Sequence, residues 1–168
     1  MGVDGRSTVR DALAQEQIVG TPDAATITDG KLQPNEKVDT GAEARQFALV
    51  MRHHALEATE GQTYAQMGRF LDESGNPTSD EAKAAVDPTT GQPVENPARN
   101  IWISSTAFQS ALNTAYFAES VATFAIVMGV ALLLTGIGFL VMVIRLLVPA
   151  TRRREAPMGT APAVPAAG

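Results

Sequence analysis

The stretch Ser120–Ile144, SVATFAIVMGVALLLTGIGFLVMVI, runs 25 residues without a charge. Arg145 follows at once, and Arg152, Arg153 and Arg154 come shortly after. A bilayer core takes roughly 20 apolar residues at ~1.5 Å rise each, so the stretch spans it with tilt to spare. It decides the solvent in which the rest of the chain is read. The expected architecture is mainly α: a small external, mostly helical domain over residues 1–119, continuous with one C-terminal transmembrane helix over 120–148. A disordered cytoplasmic tail is expected over 149–168.

Ahead of the span stand 119 residues, enough for one small domain and not for two. The net charge of −5 conceals an asymmetry: acidic residues dominate before the span, and basic ones follow it. No basic stripe interleaves with aromatics ahead of the membrane, which argues against a nucleic-acid partner. The chain has no cysteine, so a disulfide framework, a thiolate metal site and a cysteine nucleophile are excluded. Nine aromatic residues (one Trp, two Tyr, six Phe) leave a thin core, and the domain is expected to lean on partners.

Arginines crowd the C-terminal flank of the span, whereas Arg99 is the one basic residue within about 20 positions on the other side. The positive-inside rule puts Leu146–Gly168 in the cytoplasm and the domain on the outer side of the membrane. Yet Asp4, Arg6, Arg10 and Asp11 interrupt any signal peptide near the start. Either the orientation is reversed or a hydrophobic segment lies upstream; the upstream segment is the favoured reading.

Along the chain, Ser7–Gln17 reads as helix, broken near Gly20-Thr21-Pro22-Asp23. Residues 24–39 read as short extended pieces joined by turns. Thr40-Gly41-Ala42-Glu43 is a capping box that opens a helix to about Ala58. Its apolar stripe is Ala44, Phe47, Ala48, Met51, Ala55 and Ala58. Thr78 and Glu81 suggest a short helix to Val86, Asp87–Pro97 a loop, and Ile101-Trp102-Ile103 a buried extended piece. From Ser105 a helix is expected to run into the membrane, with Ser104 and Ser105 as its caps. No internal repeat is visible in the sequence.

Within the span, Ala122, Ala125, Gly129 and Gly136 fall near one face. Small residues let helices approach closely in lipid, so the stripe reads as a seam for a partner helix or a second copy. The competing reading is that Gly and Ala are simply frequent in membrane helices. Arg145, Arg152, Arg153 and Arg154 read as topology anchors. No ionisable residue occupies mid-span, which disfavours an ion path.

His53 and His54 are the only histidines. Helical neighbours point about 100° apart and chelate one ion poorly, whereas His53 and Glu57 share a face. That is two ligands for a site needing three or four. A metal-dependent enzyme or sensor on His53, His54 and Glu57 is therefore the competing hypothesis. A small-ligand receptor with Trp102, Tyr64 and Tyr116 lining a pocket is a third. Nucleophile elbows and phosphate-cradling loops are absent. No catalytic set, cofactor or metal is expected.

Several runs carry a resemblance. Gln17-Ile18-Val19-Gly20-Thr21-Pro22-Asp23, Val38–Ala42, His54–Thr59 and Gln62–Met67 resemble an uncharacterised family of actinobacterial membrane proteins. Asn96–Asn100 and Ala111–Tyr116 do so as well. The likeness covers about Val9 to Val148. It implies two spans flanking an external domain, with the present chain starting almost where the first would end. Some family members carry an automatic label of aromatic ring-opening dioxygenase. Two histidines on adjacent helical positions give that label no support. The leading expectation is a non-enzymatic component of the cell envelope.

Overall fold

The computed structural model describes the backbone of residues 2–154 and the side chains of residues 4–146. The chain is mainly helical: α1 (Gly2–Gln15), α2 (Ala24–Ile27), α3 (Gly41–Ala58), β1 (Phe70–Leu71), β2 (Pro77–Thr78), a 3-10 turn (Glu81–Lys83) and α4 (Pro97–Arg154). Two units separate within it, one ending at Ala125 and the other starting at Ile126.

In the first unit, α3 forms where its capping box requires. The Thr40 hydroxyl accepts from the Glu43 N–H at 3.3 Å, and Glu43 Oε2 accepts from the Thr40 and Asp39 N–H groups at 2.9 and 3.0 Å. The helix buries Ala44, Phe47, Ala48 and Ala55 from the expected stripe, while Met51 is half-buried and Ala58 exposed. Val50, off that stripe, is fully buried. Both α1 and α2 contact α3, so it hides more than one face. Leu13, Leu32, Val38 and Leu112 complete the core. Phe47 meets Phe108 of α4 edge to face, ring centroids 6.4 Å apart.

The approach of α3 to α4 depends on Gly41. A Cβ there would lie 2.8 Å from Tyr116 Cα and 3.2 Å from the Ala115 carbonyl oxygen, both backbone atoms. Gly41→Ala is expected to lower stability by about 1–3 kcal/mol through overpacking. Urea melts of the full chain in detergent check this; an unchanged midpoint would show that the helices separate freely.

In the first unit, sequence expectations differ from the fold in four places. Residues 24–27 are helical, with the Thr28 hydroxyl accepting the Leu32 N–H at 3.0 Å to close the following turn. The helix expected to Val86 shrinks to the 3-10 turn, because Ala84 and Val86 are taken by bridges to Asp72 and Pro93. Ile101-Trp102-Ile103 is helical, and Ser104 and Ser105 lie inside α4 rather than capping it. Asn96 and Pro97 start the helix earlier: Asn96 Oδ1 accepts the Ala98 N–H at 3.1 Å, and proline suits the first helical position.

The fourth difference is a structural repeat between residues 70 and 94. Asp72 Oδ1 accepts the N–H groups of Ser74 and Asn76, and Asp87 Oδ1 accepts those of Thr89 and Thr90. Each turn places glycine at positive φ, Gly75 at 80° and Gly91 at 69°, with proline two residues later. The hairpins are stitched together by Leu71 N–H to the Val94 carbonyl and Ala85 N–H to the Leu71 carbonyl, at 3.0 and 2.8 Å. Differing turn lengths hide the likeness in the sequence.

In the second unit, α4 continues to Arg154, past residue 149 where the tail was expected to begin. The rest of that expected tail, residues 155–168, lies outside the described residues. Among the described residues, α4 is the one helix long and apolar enough to cross a membrane, and none of its most apolar window is buried.

Candidate functional site

One residue ahead of the charge-free stretch stands Glu119, a carboxylate whose side chain is only 10% exposed. Its Oε1 accepts from Arg6 Nε at 2.8 Å and from Arg10 Nε at 2.9 Å, both on α1. Arg6 and Arg10, four apart, share one face of that helix. Oε2 accepts the Gly41 N–H at 2.5 Å. That N–H is one of the orphan donors at the start of α3, where the helix dipole favours an anion. Burial pushes the Glu119 carboxyl up, but the Gly41 N–H and then Arg6 and Arg10 outweigh it and hold the group below its ordinary range. A single carboxylate therefore ties α1, α3 and α4 together.

The small-residue seam divides. Ala122 is buried within the first unit, whereas Ala125, Gly129 and Gly136 are exposed. A Cβ at Gly129 or Gly136 would meet nothing within 4 Å. Hydroxyls in and beside the charge-free stretch satisfy themselves along the helix. Ser120, Thr123 and Thr135 donate to the carbonyls of Tyr116, Glu119 and Ala131 at 2.8–2.9 Å. Arg145 is exposed, and the side chains of Arg152, Arg153 and Arg154 lie outside the described residues.

The histidines enter two separate pairs. His53 Nε2 lies 3.3 Å from Glu57 Oε1, and His54 Nε2 lies 2.8 Å from Asp23 Oδ2. Asp23 also accepts from the Thr21 hydroxyl at 2.6 Å; the bond to His54, then that to Thr21, lowers its carboxyl to about 2. The second pair pins the segment before α2 onto α3. Among the described residues no three potential His, Asp or Glu ligands converge.

Tyr64 and Trp102 line one shallow cleft with Ile103, Thr106, Ala107 and Ser110. Tyr116 is not part of it and lies beneath Arg45, whose Cζ is 4.8 Å from the ring centroid. The pocket imagined for all three aromatics thus resolves into two places.

Comparison with known proteins found no matching family model, no matching curated protein and no matching solved structure.

Proposed function

We propose that this chain is a membrane protein of the bacterial cell envelope anchored through α4, a non-enzymatic interaction or structural component. Its domain lies outside the plasma membrane and its C-terminus in the cytoplasm. The observation that carries the reading is the unburied apolar run of α4. A core helix of a water-soluble fold hides such a surface, and water leaves it costly. Internal satisfaction of Ser120, Thr123 and Thr135 supports it, since lipid offers no hydrogen-bond partner. The arginines after Ile144 support the orientation.

The bare faces at Ala125, Gly129 and Gly136 support a partner helix, either from another protein or from a second copy. The separate pairing of His53 and His54 makes a metal-dependent enzyme the weaker reading.

A phosphatase reporter that works only outside the membrane, fused after Gly168, is expected to be silent. Activity there would reverse the orientation. Because the chain has no cysteine, Gly129→Cys offers a clean test of self-association. Oxidative cross-linking at 129, but not at 131 on the opposite side of the helix, is expected for a pair of copies.

A further inference from the structure

Where β1 and the Val94–Asn96 segment meet the start of α4, a cleft of about 240 Å³ opens. Tyr64, Arg69, Phe70, Glu95, Arg99 and Asn100 line it. Arg99 Cζ lies 3.9 Å from the centroid of the Tyr64 ring, and Arg69 Cζ lies 5.2 Å from that of Phe70. Both guanidinium groups lie over aromatic rings. Neither forms an ion pair or a side-chain hydrogen bond among the described residues, although the chain carries 18 acidic side chains. Arg6 and Arg10, by contrast, both pair with Glu119.

Stacking uses the face of a guanidinium and leaves its in-plane N–H fork free. Such a fork matches a planar carboxylate, and two nearby forks can share one. The floor beneath them is fixed. Phe70 is buried and bridged to Glu95, and the buried Asn96 donates from Nδ2 to the Gly68 carbonyl at 2.9 Å. Pre-placed donors lower the ordering cost of binding. Glu95 also faces the cleft and has no ion pair among the described residues. Its charge opposes a doubly charged anion and favours a ligand carrying an ammonium beside its carboxylate. Tyr64, 41% exposed, and Ile103 offer apolar wall for a small side chain.

We propose that this cleft binds a small amino-carboxylate, a free amino acid or a peptide end, with Arg69 and Arg99 taking the carboxylate and Glu95 the amine. This inference does not rest on membrane insertion.

The full chain in detergent micelles, titrated calorimetrically with L-alanine, L-alanyl-L-alanine, acetate and inorganic phosphate, tests it. Saturable binding of L-alanine or the dipeptide is expected, with acetate weaker; the tighter of the two names the source. Arg69→Ala and Arg99→Ala should each weaken that binding at least about tenfold, as loss of a charge-assisted pair does. Arg99→Lys keeps the charge and loses the fork, so it too should bind more weakly, with an unchanged circular dichroism spectrum. Glu95→Gln should erase the preference over acetate. No saturable binding by either amino-carboxylate, tighter binding of phosphate, or unchanged affinity in any of the arginine variants would overturn the proposal.

Discussion

Glu119→Ala is expected to destabilise the domain by about 2–4 kcal/mol, the largest effect of any single truncation considered. Breaking a buried ion pair costs about 3–5 kcal/mol when the remaining charge is stranded. Here the arginine side chains are 43% and 41% exposed, so they rehydrate and the cost is discounted. The Gly41 N–H, buried at the head of α3, keeps no such escape and adds about 1–3 kcal/mol. Urea melts of both proteins in one detergent measure the difference. A loss below about 0.5 kcal/mol, typical of an idle surface site, would remove Glu119 from its role as the joint of three helices. Glu119→Gln keeps an acceptor and should fall between the two.

The same carboxylate sets a pH dependence. Its folded value lies below the ordinary 4.5, so its stabilisation is fully present above that pH. It is lost progressively as pH falls through the depressed folded value. Wild type should therefore lose stability below about pH 4.5 more steeply than Glu119→Gln. Parallel acid profiles in the two proteins would assign the acid sensitivity elsewhere.

Glu119 also marks the boundary of what a sequence makes legible. Local signals were sufficient for α3, because the Thr40–Glu43 box is written in four consecutive residues. The apolar run of α4 is equally local, and its length decides its class without reference to any other segment. The hub is different. Arg6 and Arg10 sit four apart on one face of α1, and a lone carboxylate stands at the threshold of the uncharged stretch. Joining them requires contacts across 109–113 positions, which no periodicity encodes. The hairpins at Asp72 and Asp87 failed for another reason. Their paired segments are short and stabilised by each other, so neither carries the alternation that announces a strand. Ile101-Trp102-Ile103 reads as extended because β-branched residues favour strands locally, whereas the Asn96-Pro97 start commits them to a helix. Tyr64, Trp102 and Tyr116 stand out in the sequence as aromatics, but only arginine partners distant in sequence show what each ring does.

Leu132→Arg together with Leu133→Arg is expected to abolish membrane insertion. Each arginine at the centre of a spanning helix costs about 2.5–3.5 kcal/mol on insertion scales, so the pair costs about 5–7 kcal/mol. Both leucines are exposed, 66% and 63%, so neither substitution removes packing from the domain. The full chain should resist alkaline carbonate extraction and the double variant should not. Depth provides the internal control. Leu146→Arg, beyond Ile144 and beside Arg145, lies where a long side chain reaches the headgroups, and it should leave extraction unchanged. If the mid-span pair and the terminal substitution behaved alike, the apolarity of α4 would not be what holds the protein. A double variant that still resisted extraction would refute the membrane reading at its foundation. Graded loss, severe at the centre and absent at the end, is the signature only a hydrocarbon slab of bilayer thickness imposes.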